Sequence, residues 1–199
     1  AWNRLAKVYD DDDADGEADA GELIVTHEHD GLHRRIQTVD KTGQNEVTFD
    51  RYFNTNWQVL EVHEDGDTAN PLKQFVWDLR YIDSPIVRFR DHDTSGSVDD
   101  TLYYTNDENF NVTALIDAAS GSVVERYEYT PYGERTVLQA DFADHATDTV
   151  EGSYDNRLGF QGLAHDFETG LIHQRTRPWG FHVGRFLTRD WAGYPDGYN

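Results

Sequence analysis

Thirteen residues near the N-terminus, Asp10 to Glu22, carry eight carboxylates. Neighbouring like charges about 5 Å apart cost on the order of 0.8 kcal/mol per pair in water, so such a run is either a solvated turn or a place for a cation. Asp11, Asp13 and Asp15 alternate, Gly16 follows, and Glu22 stands after five further residues. That is the full calcium-loop spacing D-x-D-x-[DN]-G-x5-E. Calcium takes roughly six to eight oxygens near 2.4 Å. Here Asp11, Asp13 and Asp15 would give one each, the Glu17 carbonyl another and Glu22 two, with Asp19 reaching through water and Gly16 making the sharp turn. Ala18 fills a position where a large apolar residue is usual, which loosens the site. A second acidic loop offers Asp91, Asp93, Ser95, Gly96 and Asp99 or Asp100 in similar register, but Leu102 occupies the twelfth position. Ca2+ is the expected cofactor, and a solvated acidic turn is the alternative for both loops.

Other chemistry has less support. His27 and His29 alternate around Glu28, which puts them about 7 Å apart on one strand face; that is half a metal site or two packing residues. The other seven histidines show no ligand spacing. The chain has no cysteine, no Gly-x-Ser-x-Gly elbow and no glycine-rich phosphate loop. The tyrosines at 103, 104, 127 and 129 suit cross-strand stacks or a carbohydrate-binding face.

These candidates must be positioned by strands. Thirty-eight Asp and Glu against 17 Lys and Arg give 199 residues a formal charge of −21, which argues against nucleic acid as a partner and against adsorption to anionic lipid. No apolar span reaches membrane length, so no membrane insertion is expected. Apolar content is only 37%, yet there are 11 Tyr, 10 Phe and 5 Trp, too many aromatics for a disordered acidic tail. No methionine occurs, which suggests a piece of a longer chain. Short alternating segments recur every 15 to 20 residues or so between glycine and Asx turns. Examples are "ELIVTHEHD" (22–30), "EVTFDRYFN" (46–54), "KQFVWDLRYID" (73–83) and "GSVVERYEYT" (121–130). The fold class is all-β. Residues 139–157 are weakly patterned and read as a loop.

Three stretches share a layout: "HEHDGLHRRIQTVDKTG" (27–43), "LYYTNDENFNVTALIDAASG" (102–121) and "RYEYTPYGERTVLQAD" (126–141). An aromatic or histidine pair precedes Asp or Thr, a turn and a strand. Each unit is a hairpin unable to bury its own face, so neighbours must stack.

With these repeats the sequence resembles the RHS/YD-repeat family. "NRLGFQGLAHDFETGLIHQRTRPWGFHVGRFLTRDWAGYPDGYN" (156–199) is similar to the RHS-associated core region that closes such arrays. It carries the Phe-x-Gly opening at Phe160-Gln161-Gly162, "ETGL" at 168–171 and "GRFLTRD" at 184–190. The resemblance implies tandem antiparallel hairpins over 1–138, wound into a sheet or part of a hollow β-shell. A loop at 139–157 leads to a loop-rich plug starting at 158. In bacterial members the shell encloses a toxic C-terminal domain; related toxin-complex components and animal teneurins form large barrels at the cell surface. A secreted or cell-surface location follows from the same resemblance.

In toxin-bearing members the core region is also an aspartate-dependent self-cleaving protease. Its Arg-Asp-Pro-x-Gly motif maps onto Arg189-Asp190-Trp191-Ala192-Gly193, with Trp191 replacing proline, and Arg177-Pro178-Trp179 replaces Arg-Tyr-Tyr. Asp190 would be the acid–base carboxylate and Arg189 would orient it, in the parent protein only, because the family's second aspartate lies past Asn199. The leading expectation is a structural piece of such a shell, with neighbouring repeats or the raw strand edges of a second copy as partners and a C-terminal domain as cargo. The alternative is a calcium-stabilised surface protein in adhesion or ligand recognition.

Overall fold

Each apolar-alternating segment pairs with the one that follows it. The computed structural model describes residues 4–11, 14–93, 95–143 and 152–190. Eleven antiparallel strands form one open sheet whose spatial order is the chain order. They are β1 (Lys7–Tyr9), β2 (Leu23–His29), β3 (Arg35–Asp40), β4 (Val47–Phe53), β5 (Val59–Glu64), β6 (Lys73–Trp77), β7 (Pro85–Arg90), β8 (Asp100–Asn106), β9 (Val112–Asp117), β10 (Val123–Tyr129) and β11 (Arg135–Gln139). A second meander follows: β12 (Ala164–Asp166), β13 (Leu171–Gln174), β14 (Arg177–Gly180) and β15 (Arg185–Phe186). The all-β expectation of tandem hairpins holds. The closing segment is rich in loops and turns, and within it four short strands build a sheet of their own. The stretch 73–83 is also not one strand: β6 ends at Trp77 and the chain turns at Asp78, whose carboxylate accepts the Arg80 N–H at 2.8 Å.

One turn geometry recurs and explains the repeat. Asp30, Asn54 and Asp107 each donate their own N–H to the carbonyl four residues on, at 3.0 Å in every case. The Oδ1 of each accepts two amides, from the residues two and four ahead: Leu32 and Arg34, Asn56 and Gln58, Asn109 and Asn111. Thr130 makes the same closure with its hydroxyl, which accepts the Glu134 N–H at 3.1 Å. A short polar side chain here replaces several backbone partners the reversal would leave unmet. The third residue after each lies in the left-handed region: His33 at φ 70°, Trp57 at 66°, Phe110 at 63° and Gly133 at 94°. Glycine adopts that conformation freely, whereas the other three each carry about 1–2 kcal/mol of strain. Phe110 is held there by a stack on Tyr81, with ring centroids 4.0 Å apart.

Strand alternation then sorts the faces. Leu102, Tyr104, Val112, Leu115, Tyr127 and Val137, all from β8 to β11, form a buried cluster with Leu158 of the closing segment. Tyr103, one residue out of phase, is 46% exposed. Burying each large apolar side chain contributes roughly 1.5–3 kcal/mol. The apolar core therefore sits at the C-terminal half of the sheet.

Candidate functional site

The closing segment lies across one face of the strip and is fastened to it by buried charges. Arg35 of β3, 4% exposed, donates Nη1 and Nη2 to the two carboxylate oxygens of Asp166 in β12, both at 2.8 Å. Lys73 of β6 pairs with Asp155, and Arg88 of β7 donates to the Asp155 carbonyl at 3.1 Å. Arg135 of β11 donates to the Asn156 carbonyl at 2.6 Å and lies over the ring of Phe167. Glu125 of β10 is 1% exposed; it accepts the Tyr127 hydroxyl and, at 2.8 Å, the Ser153 N–H. Arg175, just past β13, grips Asp83 with both carboxylate oxygens within 2.8 Å. Gly162 sits at φ 70°, and a Cβ there would run into the Asp83 backbone carbonyl. The Phe-x-Gly motif is thus a close approach between the two layers.

Electrostatics follow the same seam. Burial pushes the Asp166 carboxyl up, but the Arg35 charge and hydrogen bonds outweigh it and leave Asp166 well below the usual carboxylate range. Burial, then the Arg35 charge, pushes His27 down to about 3 and His29 to about 4. Burial and Arg135 push His165 down to about 3. His27 is a packing residue by geometry: Nε2 meets Arg35 Nη1 at 3.2 Å, and Nδ1 meets Thr38 Oγ1 at 3.1 Å. Of the tyrosines singled out, Tyr104 and Tyr127 are buried in the core cluster while Tyr103 faces solvent. Tyr129 donates to the Val112 carbonyl at 2.7 Å and packs against Phe160 and His165.

The acidic loops are placed as follows. Asp13 lies outside the described residues. Asp11 Oδ2 accepts the Gly16 N–H at 3.2 Å and Asp15 Oδ1 the Glu17 N–H at 2.7 Å. Glu22 is buried and accepts the Asp19 N–H at 2.9 Å. In the second loop Asp91, Asp93 and Asp99 bring one oxygen each within 4.8 Å of one another, the one such grouping among the described residues. Asp91 takes the Ser95 and Gly96 amides at 3.0 and 2.7 Å. Asp100 turns away from the loop to Arg90 at 2.8 Å. Asp190 follows β15, and Arg177 of β14 lies 3.4 Å from its Oδ2. Trp191 to Gly193 of that motif lie outside the described residues.

Sequence reasoning missed the buried seam. Part of its signal was present: Arg51 shares a strand phase with Phe49 and Phe53, Lys73 with Phe75 and Trp77, and Arg135 with Val137, in a chain with only 17 cations, whereas Arg88 alternates with Val87 and Phe89 and reads as solvent-facing. Their partners, far along the chain, could not be read.

No protein-family model matches the chain. Human Teneurin-1 is 24% identical to it over 164 residues, covering 82% of this chain and 5% of the teneurin. Solved structures with the same fold include TcdB2-TccC3, with a TM-score of 0.64 and 20% identity over 98% of this chain and 9% of that one. Another is the Photorhabdus luminescens Tc holotoxin pore, with a TM-score of 0.65 and 20% identity over 97% of this chain and 8% of that one. The chain thus spans less than a tenth of each relative. A sequential strip of Asx-closed hairpins overlaid by a closing segment is the RHS/YD-repeat fold, and the chain is related to RHS/YD-repeat proteins.

Proposed function

We propose that this chain is the wall and end closure of an RHS/YD-repeat shell that encloses or presents a downstream C-terminal domain, secreted or at the cell surface. The observation that carries this reading is the clamp of residues 152–190 across strands β3 to β11, through ion pairs at β3 to β7 and through apolar packing and hydrogen bonds at β8 to β11. A segment fastened at both ends of a strip can seal it. Among the described residues no helix is long and apolar enough to cross a membrane. The strip ends in open strand edges, which suit further repeats of the parent or a second copy.

The test is protease protection in the parent carrying its downstream domain. Removing residues 152–199 should leave that domain digested under conditions where the intact parent protects it; equal protection would end the closure reading. In the same parent Asp190 is proposed as a self-cleavage carboxylate, and Asp190→Asn with unchanged processing on a gel would remove that role. A calcium role is proposed for the Asp91, Asp93 and Asp99 loop, favoured by their convergence. Millimolar calcium should slow cleavage between residues 91 and 99 relative to magnesium, and equal rates in both would discard it.

A further inference from the structure

The charges of this chain are sorted by sign. Among the described residues fifteen carboxylates are exposed, against four cations, Lys7, Arg80, Arg185 and Arg189. Arg80 already holds Asp78. The other thirteen cations are wholly or partly buried, and seven of them, six Arg and Lys73, line the space between the sheet and the closing segment. There Arg35, Lys73, Arg157 and Arg175 pair with Asp166, Asp155, Glu168 and Asp83. Positive charge is spent inside, where it fastens the seam, and is missing from the wet surface.

The residue types deepen the contrast. Lysine occurs only three times, and Lys41 and Lys73 are each held by a carboxylate. Aspartate outnumbers glutamate by 26 to 12, and its shorter stem leaves each charge less room to swing away from its neighbours. Asp91, Asp93 and Asp99 bring one oxygen each within 4.8 Å of one another. Glu17, Glu28, Glu108, Glu128 and Glu134 are exposed, and their side chains make no ion pair among the described residues.

Repulsion among like charges opposes the compact state. Its reach is the Debye length, about 30 Å at 0.01 M salt, about 10 Å at 0.1 M and about 3 Å at 1 M. In dilute buffer each exposed carboxylate therefore feels many of the others, and in molar salt only its immediate neighbours. Buried pairs are screened much less, so salt relieves the outside without loosening the seam.

We infer that the fold is gated by salt: concentrated monovalent cations, drawn as a hydrated layer to the exposed carboxylates, hold it in its native form, and it opens on dilution. The sign is the reverse of that for a protein held by surface ion pairs, which salt weakens. This holds whether or not the chain belongs to a container, because it concerns only the placement of charge on the chain itself.

Thermal unfolding of the 199-residue chain in potassium chloride from about 0.01 M to about 2 M tests it, with EDTA present so that calcium at the 91–99 loop plays no part. The midpoint should rise by at least about 10 °C across that range. Salt can also act on apolar burial, so a second protein isolates the charge effect. It carries Glu17→Gln, Glu28→Gln, Glu108→Gln, Glu128→Gln and Glu134→Gln. Its midpoint should lie above that of the parent at about 0.01 M, and its salt-driven rise should be smaller by about a third. A midpoint that stays flat or falls with salt, or a rise of equal size in both proteins, would overturn the inference.

Discussion

The two halves of the seam are held by different physics. At β8 to β11 the closing segment meets the sheet chiefly through Leu158, packed in one cluster with Leu102, Leu115, Tyr127 and Val137, while Glu125 and Arg135 hydrogen-bond its backbone. At β2 to β7 it meets the sheet through Arg35 with Asp166 and Lys73 with Asp155. Apolar contact is non-directional and tolerates small shifts, whereas a bidentate Arg–carboxylate pair specifies one orientation. A closing segment that must seat in a single register on eleven similar strands gains that register from its charged half. The apolar half supplies bulk stabilisation.

The largest effect should come from splitting the charged half. Asp166→Ala leaves Arg35 buried and unpaired, at a cost of about 3–5 kcal/mol, seen as a lowered urea midpoint. Changing both partners to apolar residues, Arg35→Met with Asp166→Leu, should recover most of that loss. If the double variant is as unstable as the single, the pair is contributing more than mutual compensation and the comparison drawn above is wrong. In the apolar half, Leu115→Ala should cost about 2–5 kcal/mol with no dependence on salt, measured by the same unfolding curves at low and high ionic strength.

Acid should separate the halves. His27 and His29 of β2 are held at about 3 and 4, below the ordinary 6.5, against one such group, His165 at about 3, beside Tyr129 of β10. The unfolded chain therefore takes up protons first, so their contribution is complete above about pH 6.5 and is lost as pH falls toward 3 to 4. Asp166 is also depressed, and its share is lost only as pH drops below the usual carboxylate value. Amide protection, with the intrinsic slowing of exchange in acid divided out, should fall in β2 to β4 before β9 and β10 on moving from pH 7 to pH 4.5. Simultaneous loss in both regions would show that the sheet responds as one unit.

The smallest effect belongs to the turns. Asp107→Ala removes three side-chain hydrogen bonds at one hairpin and should cost about 1–2 kcal/mol. Exchange should quicken locally in β8 and β9, leaving the ion-pair half unchanged.

Much of the strip was legible because its causes are local. An Asx or Thr at the turn, an alternating run on either side and a neighbour of the same kind are enough to order eleven strands in sequence. Gly133 could be anticipated at its left-handed position; His33, Trp57 and Phe110 could not, and Phe110 is held there by a stack on Tyr81, far from it in the chain. The four short strands inside the loop-rich closing segment could not be read either, for a related reason. β12 to β15 are two to four residues each, too short to show a period. The second acidic loop was visible as a motif, but Asp100 turned out to serve Arg90 rather than the loop.

By itself, the amino-acid order determined the repeat: hairpin reversal needs a side-chain oxygen only two and four residues from the amides it accepts, and alternation needs only the pleat. The tertiary structure alone decided which cations were buried and what they met. Arg35 and Asp166 are 131 residues apart in the chain, and the strength of their attraction depends on a distance and a local dielectric that exist only once the closing segment has docked.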